Sequence, residues 1–167
     1  MLCDELASGK IESSKQEKIT EEPVVVQDTT LMVAPKDTLE DPQGKFSTKE
    51  IDILKTTQTV YFKTGSTEMI ETKEGTAYLN LLKIYLDTYP NSTITLIGHT
   101  DNVGTDEINL DIGKKRAENV KLQLVKRGIK ASQILTDSKG SSLPIADNST
   151  EEGRYKNRRT EIIFTKR

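Results

Sequence analysis

The chain is 167 residues long, with 34% apolar, 30% charged and only 5% aromatic side chains, which suits one ordinary globular domain with a tail rather than two sizeable cores. A formal net charge of -2, from 24 basic and 26 acidic residues, argues against a nucleic-acid partner, and no apolar run reaches the ~18 residues of a membrane-spanning helix. Cys3 is the single cysteine and His99 the single histidine, so an intramolecular disulfide and a multi-cysteine metal centre are excluded and a thiol or histidine enzyme is disfavoured.

Residues 1–50 carry 6 basic and 11 acidic side chains, whereas residues 51–167 carry 18 and 15. The first segment holds one aromatic, Phe46, and its two apolar triplets, at 24–26 and 31–33, fall short of an element. It reads as an acidic, mostly flexible tether over 1–50, followed by a folded domain over 51–167. The domain opens with a β-branched and aromatic strand, Thr59 to Phe62, which ends at Gly65 and Ser66. Tyr78, Leu82, Tyr85 and Tyr89 then recur at helical spacing, flanked by Leu81 and Leu86, and Pro90 stops that helix. Alternation from Thr93 to His99 predicts a core strand that delivers Thr100 and Asp101 to the sheet edge. A second helix is expected from Ile112 to Arg127, closed by basic residues and Gly128. A short strand at 134–136, a turn-rich excursion over 138–157 and a last strand at 160–165 complete the chain. The order β-α-β-α-β-β predicts an α+β fold, a two-layer sandwich with the helices packed on one face of a small mixed sheet.

The polar residues concentrate between His99 and Val120. Lys114, Lys115 and Arg116 fall at the expected start of the second helix, where cations oppose the helix dipole, so Arg116 calls for an acidic partner or a ligand. Asp101 is the obvious acid. One reading is a structural ion pair that pins the strand exit to the helix. The other places the same two residues on the two ends of a zwitterion, with Asp101 accepting from an ammonium and Arg116 donating a fork to a carboxylate. In that reading Gly104 permits close backbone approach and Asn109 fixes the loop. The carboxylates at 101, 106, 107 and 111 do not fall at the alternating positions of a calcium loop. His99, with no nucleophile elbow near it, reads as a structural residue. The basic cluster Arg154, Lys156, Asn157, Arg158 and Arg159 abuts the last strand, and only Tyr155 is available there for base stacking, which favours a bracing role over phosphate binding.

The run GHTDNVGTDEINLDIGKKRAENV, with the later GSSLPIADN and KNRRTEIIF, closely resembles the OmpA-like peptidoglycan-binding domain, and is closest in type to that of peptidoglycan-associated lipoproteins. The resemblance covers about residues 55–167. Gly98, Thr100, Asp101, Gly104, Asn109, Arg116 and Ala117 stand at family spacing. It implies a non-catalytic module without cofactor or metal that binds the peptide stem of the Gram-negative cell wall at the meso-diaminopimelate head group. Asp101 would take the ammonium and Arg116 the carboxylate, in a pocket shaped by Thr100, Asn102, Asn109 and Ile112, with Gly104, Asn157, Arg158 and Arg159 in support. Gly113, where many members carry serine, would give up a side-chain cap at the helix start. The implied setting is the periplasmic face of the outer membrane, reached through the tether, with other envelope proteins as further partners and no nucleic acid. Leu2-Cys3 makes Cys3 a candidate site of lipid attachment, with an upstream segment absent from the sequence, and a domain cut from a larger envelope or motor protein is the alternative. The competing functions are a protein-docking envelope domain and a peptidoglycan hydrolase.

Overall fold

The computed structural model describes Leu39 and residues 41–166. Cys3 and the apolar triplets at 24–26 and 31–33 lie outside the described residues. The described elements run α1 (Thr48–Lys55), β1 (Gln58–Tyr61), α2 (Lys73–Thr88), β2 (Ser92–His99), α3 (Asp106–Lys126), a 3-10 turn (Ala131–Gln133), β3 (Ile134–Gly140), α4 (Glu151–Asn157) and β4 (Arg159–Lys166). Strand order is β1-β4-β2-β3. β4 is antiparallel to both neighbours and β2 is parallel to β3, so the sheet is mixed, as expected from the order of elements.

The core follows from period-two and period-3.6 patterning. Val60, Ile94, Leu96, Ile134 and Ile162 face the same core as Tyr78, Leu82, Tyr85 and Leu86 of α2 and Ala117, Val120 and Leu124 of α3. Registers Ile94↔Ile134, Ile94↔Phe164 and Leu96↔Ile162 line these side chains across the strands. α3 closes as its sequence predicts: Gly128 adopts φ 95°, its N–H donates to Val125, and that of the buried Ile129 donates to Leu124.

Four features depart from the sequence reading. α1 was not anticipated. A reciprocal cap between Ser47 and Glu50 starts it, and Ile51 and Leu54 are buried. Contacts with the core reach back further, ahead of the boundary expected at residue 51. Leu39 belongs to the core, the Phe46 ring lies 5.2 Å from that of Tyr85, and the Tyr89 hydroxyl donates to Asp41. The second departure is α3, which starts at Asp106 with Thr105 as its cap, two turns earlier than expected. Ile108 and Leu110 are exposed there, so these turns carry no apolar stripe to read. Lys114, Lys115 and Arg116 consequently sit in mid-helix, and a first-turn conflict with the dipole does not arise. The third is β3, which runs to Gly140. The fourth is α4, a helix within the presumed loop, whose buried residues, Gly153 and Asn157, offer no apolar signal.

Gly113 likewise has a role other than the helix-start position expected for it. It lies inside α3 and meets Gly98 of β2 backbone to backbone: a Cβ built on Gly98 would stand 1.8 Å from the Gly113 carbonyl oxygen, and one on Gly113 would stand 2.8 Å from the Gly98 carbonyl oxygen. No side chain fits between the helix and the strand at this crossing. G98A is therefore expected to cost about 3 kcal/mol or more in a urea unfolding titration, at the upper end of overpacking penalties. I84A, at a residue 57% exposed, should stay within about 0.5 kcal/mol of the parent.

Candidate functional site

The exit of β2 is irregular: its pairing with β3 shifts register between Gly98 and His99, so that His99 pairs with Gly140 and the Thr100 N–H donates to the Gly140 carbonyl. Beyond it, Thr100 and Asp101 descend into a cleft of about 560 Å³. One wall is the loop Thr64, Gly65, Ser66 and Thr67, the second is Asn109, Ile112 and Arg116 of α3, and the third is Glu151, Arg154 and Arg158 around α4.

Arg116 is 3% exposed. Its Nη1 donates to the His99 carbonyl at 3.0 Å, its Nε donates to the Ser66 carbonyl at 3.2 Å, and its guanidinium carbon lies 5.3 Å from the centre of the Phe62 ring. Among the described residues no carboxylate pairs with it. Burial lowers its pKa from the usual guanidinium range to about 10, against the opposing field of Asp101 and with that of Arg158. The group remains cationic at neutral pH and is fixed by neutral acceptors, an arrangement suited to an incoming anion.

Asp101 does not make the direct ion pair with Arg116 that one reading of the sequence allowed. Its Oδ2 accepts from Arg158 Nη1 at 2.9 Å, and its Oδ1 accepts from the Val103 N–H at 3.3 Å. Arg158 is nearly buried and also donates through Nη2 to Glu151 at 2.7 Å. Burial acts to lower the Arg158 pKa, but its hydrogen bonds to the two carboxylates prevail and raise it. Asn109, a residue of the same cleft, is 1% exposed, and both polar atoms of its side chain are buried without a hydrogen-bond partner among the described residues. Buried amides are rarely left so, and an open donor and acceptor side by side suit a polar ligand.

Of the residues singled out by sequence, Thr100, Asp101, Asn109, Ile112, Arg116 and Arg158 line one cleft. Asn102 is exposed and outside the lining. Gly104, at φ 102°, turns the loop above Asn109. Asn157 stands behind the site, where its side chain accepts from the N–H groups of Ile145 and Ala146 and donates to the Ala146 carbonyl and to Asn148. Arg159 also points elsewhere, bonding Glu161 and the Leu143 carbonyl. Ser66 and Glu151 were missed as cleft residues, and Arg154 was read only as part of the bracing cluster. The Ser66 carbonyl leaves no side-chain signature, and the only cue to the acid at 151 is the helix start at Thr150. The basic cluster is committed to protein partners, since Arg154 and Lys156 pair with Glu151 and Glu152. Among the described residues no group of three or more His, Cys, Asp or Glu is placed to hold a metal, and no helix is long and apolar enough to cross a membrane.

A model of the OmpA family matches residues 61–158. The peptidoglycan-associated lipoprotein of Buchnera aphidicola subsp. Baizongia pistaciae is 38% identical over 114 residues, which cover 68% of this chain and 65% of that protein. The chain spans less than two thirds of the length of the curated relatives it matches first. Among solved structures, the peptidoglycan-associated lipoprotein from Burkholderia pseudomallei superposes with a TM-score of 0.58 at 33% identity, covering 64% of this chain and 89% of that one. The C-terminal domain of Helicobacter pylori MotB does so with a TM-score of 0.55 at 26% identity, covering 66% and 85%.

The underside of the site carries its own charge constraint. His99 is 2% exposed, and its ring nitrogens have no hydrogen-bond partner among the described residues, with Nε2 lying 3.7 Å from Glu161. Burial, reinforced by Arg159 and opposed by Glu161, lowers its pKa from 6.5 to about 4. The unfolded chain therefore binds a proton in a window where the folded chain resists it, so stability falls as pH falls from 6.5 to about 4. Urea titrations across that window should show a loss in the parent that is steeper than in H99Q by up to about 1.4 kcal/mol per pH unit.

Proposed function

This chain belongs to the OmpA family, and we propose that its cleft is a non-catalytic receptor for the zwitterionic end of a peptidoglycan stem peptide, the meso-diaminopimelate head group. The observation that carries the reading is the buried Arg116 guanidinium, held by two main-chain carbonyls and an aromatic ring and paired with no carboxylate among the described residues. A ligand carboxylate would meet the two-pronged donor that a guanidinium offers. Asp101 keeps acceptor capacity beside its bond to Arg158, and would take the ammonium. Asn109, with its open donor and acceptor, would take the remaining polar atoms of the head group, while Thr100 and Ile112 bound the pocket. The names of the relatives support the ligand class, since several are peptidoglycan-associated or peptidoglycan-binding proteins.

In this reading the domain anchors an envelope component to the wall from the periplasmic face of the outer membrane, with the acidic N-terminal segment as tether and Cys3 as the candidate point of lipid attachment. Recognition needs no bond making, because the cleft combines fixed charges and a fixed hydrogen-bonding amide.

The test is sedimentation with purified sacculi, followed by calorimetry with a meso-diaminopimelate tripeptide and its lysine counterpart. The protein is expected to sediment with the wall, to release no soluble fragments and to prefer the diaminopimelate peptide. R116A should weaken that peptide by about 2 kcal/mol or more, roughly thirtyfold, while leaving the lysine peptide, which lacks the distal carboxylate, nearly unchanged. D101A should weaken both peptides and also lower stability, because it strips the nearly buried Arg158 of a partner. Equal affinity of the parent for both peptides would remove Arg116 from the assignment. A folded protein that ignores the wall would favour the protein-docking function.

A further inference from the structure

One guanidinium, that of Arg158, is shared between two carboxylates of the cleft: Nη1 lies 2.9 Å from Asp101 and Nη2 lies 2.7 Å from Glu151. The Arg158 side chain is 4% exposed, so it has little access to water as a substitute partner. Glu151 is far more exposed, yet its position is defined by Arg158, by Arg154 at 2.9 Å and by the Thr64 hydroxyl, which donates to it from the opposite wall at 3.4 Å. We propose that Glu151 is a positioning residue that makes the cleft select zwitterions over plain carboxylates, by holding half of the Arg158 fork away from Asp101. This rests on the receptor function proposed above.

Two physical effects support it. With Glu151 in place, Arg158 spends one terminal nitrogen on each acid and leaves part of the Asp101 carboxylate open to a ligand ammonium. Without it, Arg158 can turn both nitrogens onto Asp101 in the bidentate geometry that guanidinium and carboxylate favour, and so compete with the ammonium for the same oxygens. The second effect is the sum of charge. Among the described residues, the ionisable groups lining the cleft are Asp101, Glu151, Arg116, Arg154 and Arg158. Hydrogen bonds from Arg158 and Arg154 hold Glu151 below the usual carboxylate range, so it is ionised at neutral pH. Neutralising it leaves one acid against three arginines, which disfavours an ammonium and favours a bare anion. Because Glu151 is solvent-accessible, the effect is screened and modest.

The probes are the meso-diaminopimelate tripeptide and the same peptide with the distal amino group replaced by hydrogen, which keeps the distal carboxylate. The parent should prefer the zwitterionic peptide. E151Q, which keeps the side-chain shape but not the charge, should lower that preference about three- to tenfold, by weaker binding of the zwitterion and equal or stronger binding of the desamino peptide. E151D, which keeps the charge, should retain most of the preference, and the unfolding midpoint of E151Q should stay near that of the parent. An unchanged preference in E151Q, or an equal loss in E151D and E151Q, overturns the role of Glu151 while leaving the receptor function standing. A parent that binds neither peptide overturns both.

Discussion

At Gly98 and Gly113 a strand and a helix meet through their backbones, with no room for a Cβ on either. This crossing sets how closely α3 lies on β2, and the geometry of the cleft depends on it. Arg116 follows Gly113 by about one helical turn, and its guanidinium reaches the carbonyl of His99, the residue that follows Gly98. A wider crossing would carry Arg116 away from that carbonyl and from Ser66 on the facing loop. The contact thus converts a packing restriction in the core into a fixed position for a buried cation.

The two arginines of the cleft illustrate how burial and pairing act in opposition. Both are almost inaccessible to solvent. Arg116, which has only neutral acceptors among the described residues, has its pKa pulled down by burial, whereas Arg158, bonded to two carboxylates, has its pKa raised. Arg116 and Asn109, whose amide has no partner among the described residues, both line the cleft. Unspent donors and an unspent acceptor are costly in a core and useful in a receptor, where a ligand supplies the missing partners.

Three consecutive polar residues at the junction of α4 and β4 serve three places. Asn157 fastens the loop around Ile145 and Ala146, Arg158 enters the cleft, and Arg159 joins Glu161 beside His99. The change from helix to strand turns successive side chains in different directions, so one short run braces a loop, a site and the face of β4 that carries Glu161. His99 links the last two, since its carbonyl anchors Arg116 and its ring lies near Glu161.

The periodicities of the sequence determined the α2 stripe, the alternation in β2 and the Gly128 helix stop, and with them the two-layer α+β arrangement, because those patterns report which side of each element leaves water. The resemblance of the run around Asp101 and Arg116 to the OmpA-like domain also pointed to the family and to the region of the cleft. Elements without an apolar face were not legible in this way: α4 buries only a glycine and an asparagine, and the first turns of α3 leave Ile108 and Leu110 exposed. Nor could spacing assign the partner of Asp101. Arg158, 57 positions away, takes that place in the folded chain, and Arg116 is left to carbonyls from two separate segments. Only the tertiary structure decides such pairings, because hydrophobic patterning is a local property of each element, whereas the partner of a buried charge depends on which loops the packed elements bring within hydrogen-bonding distance.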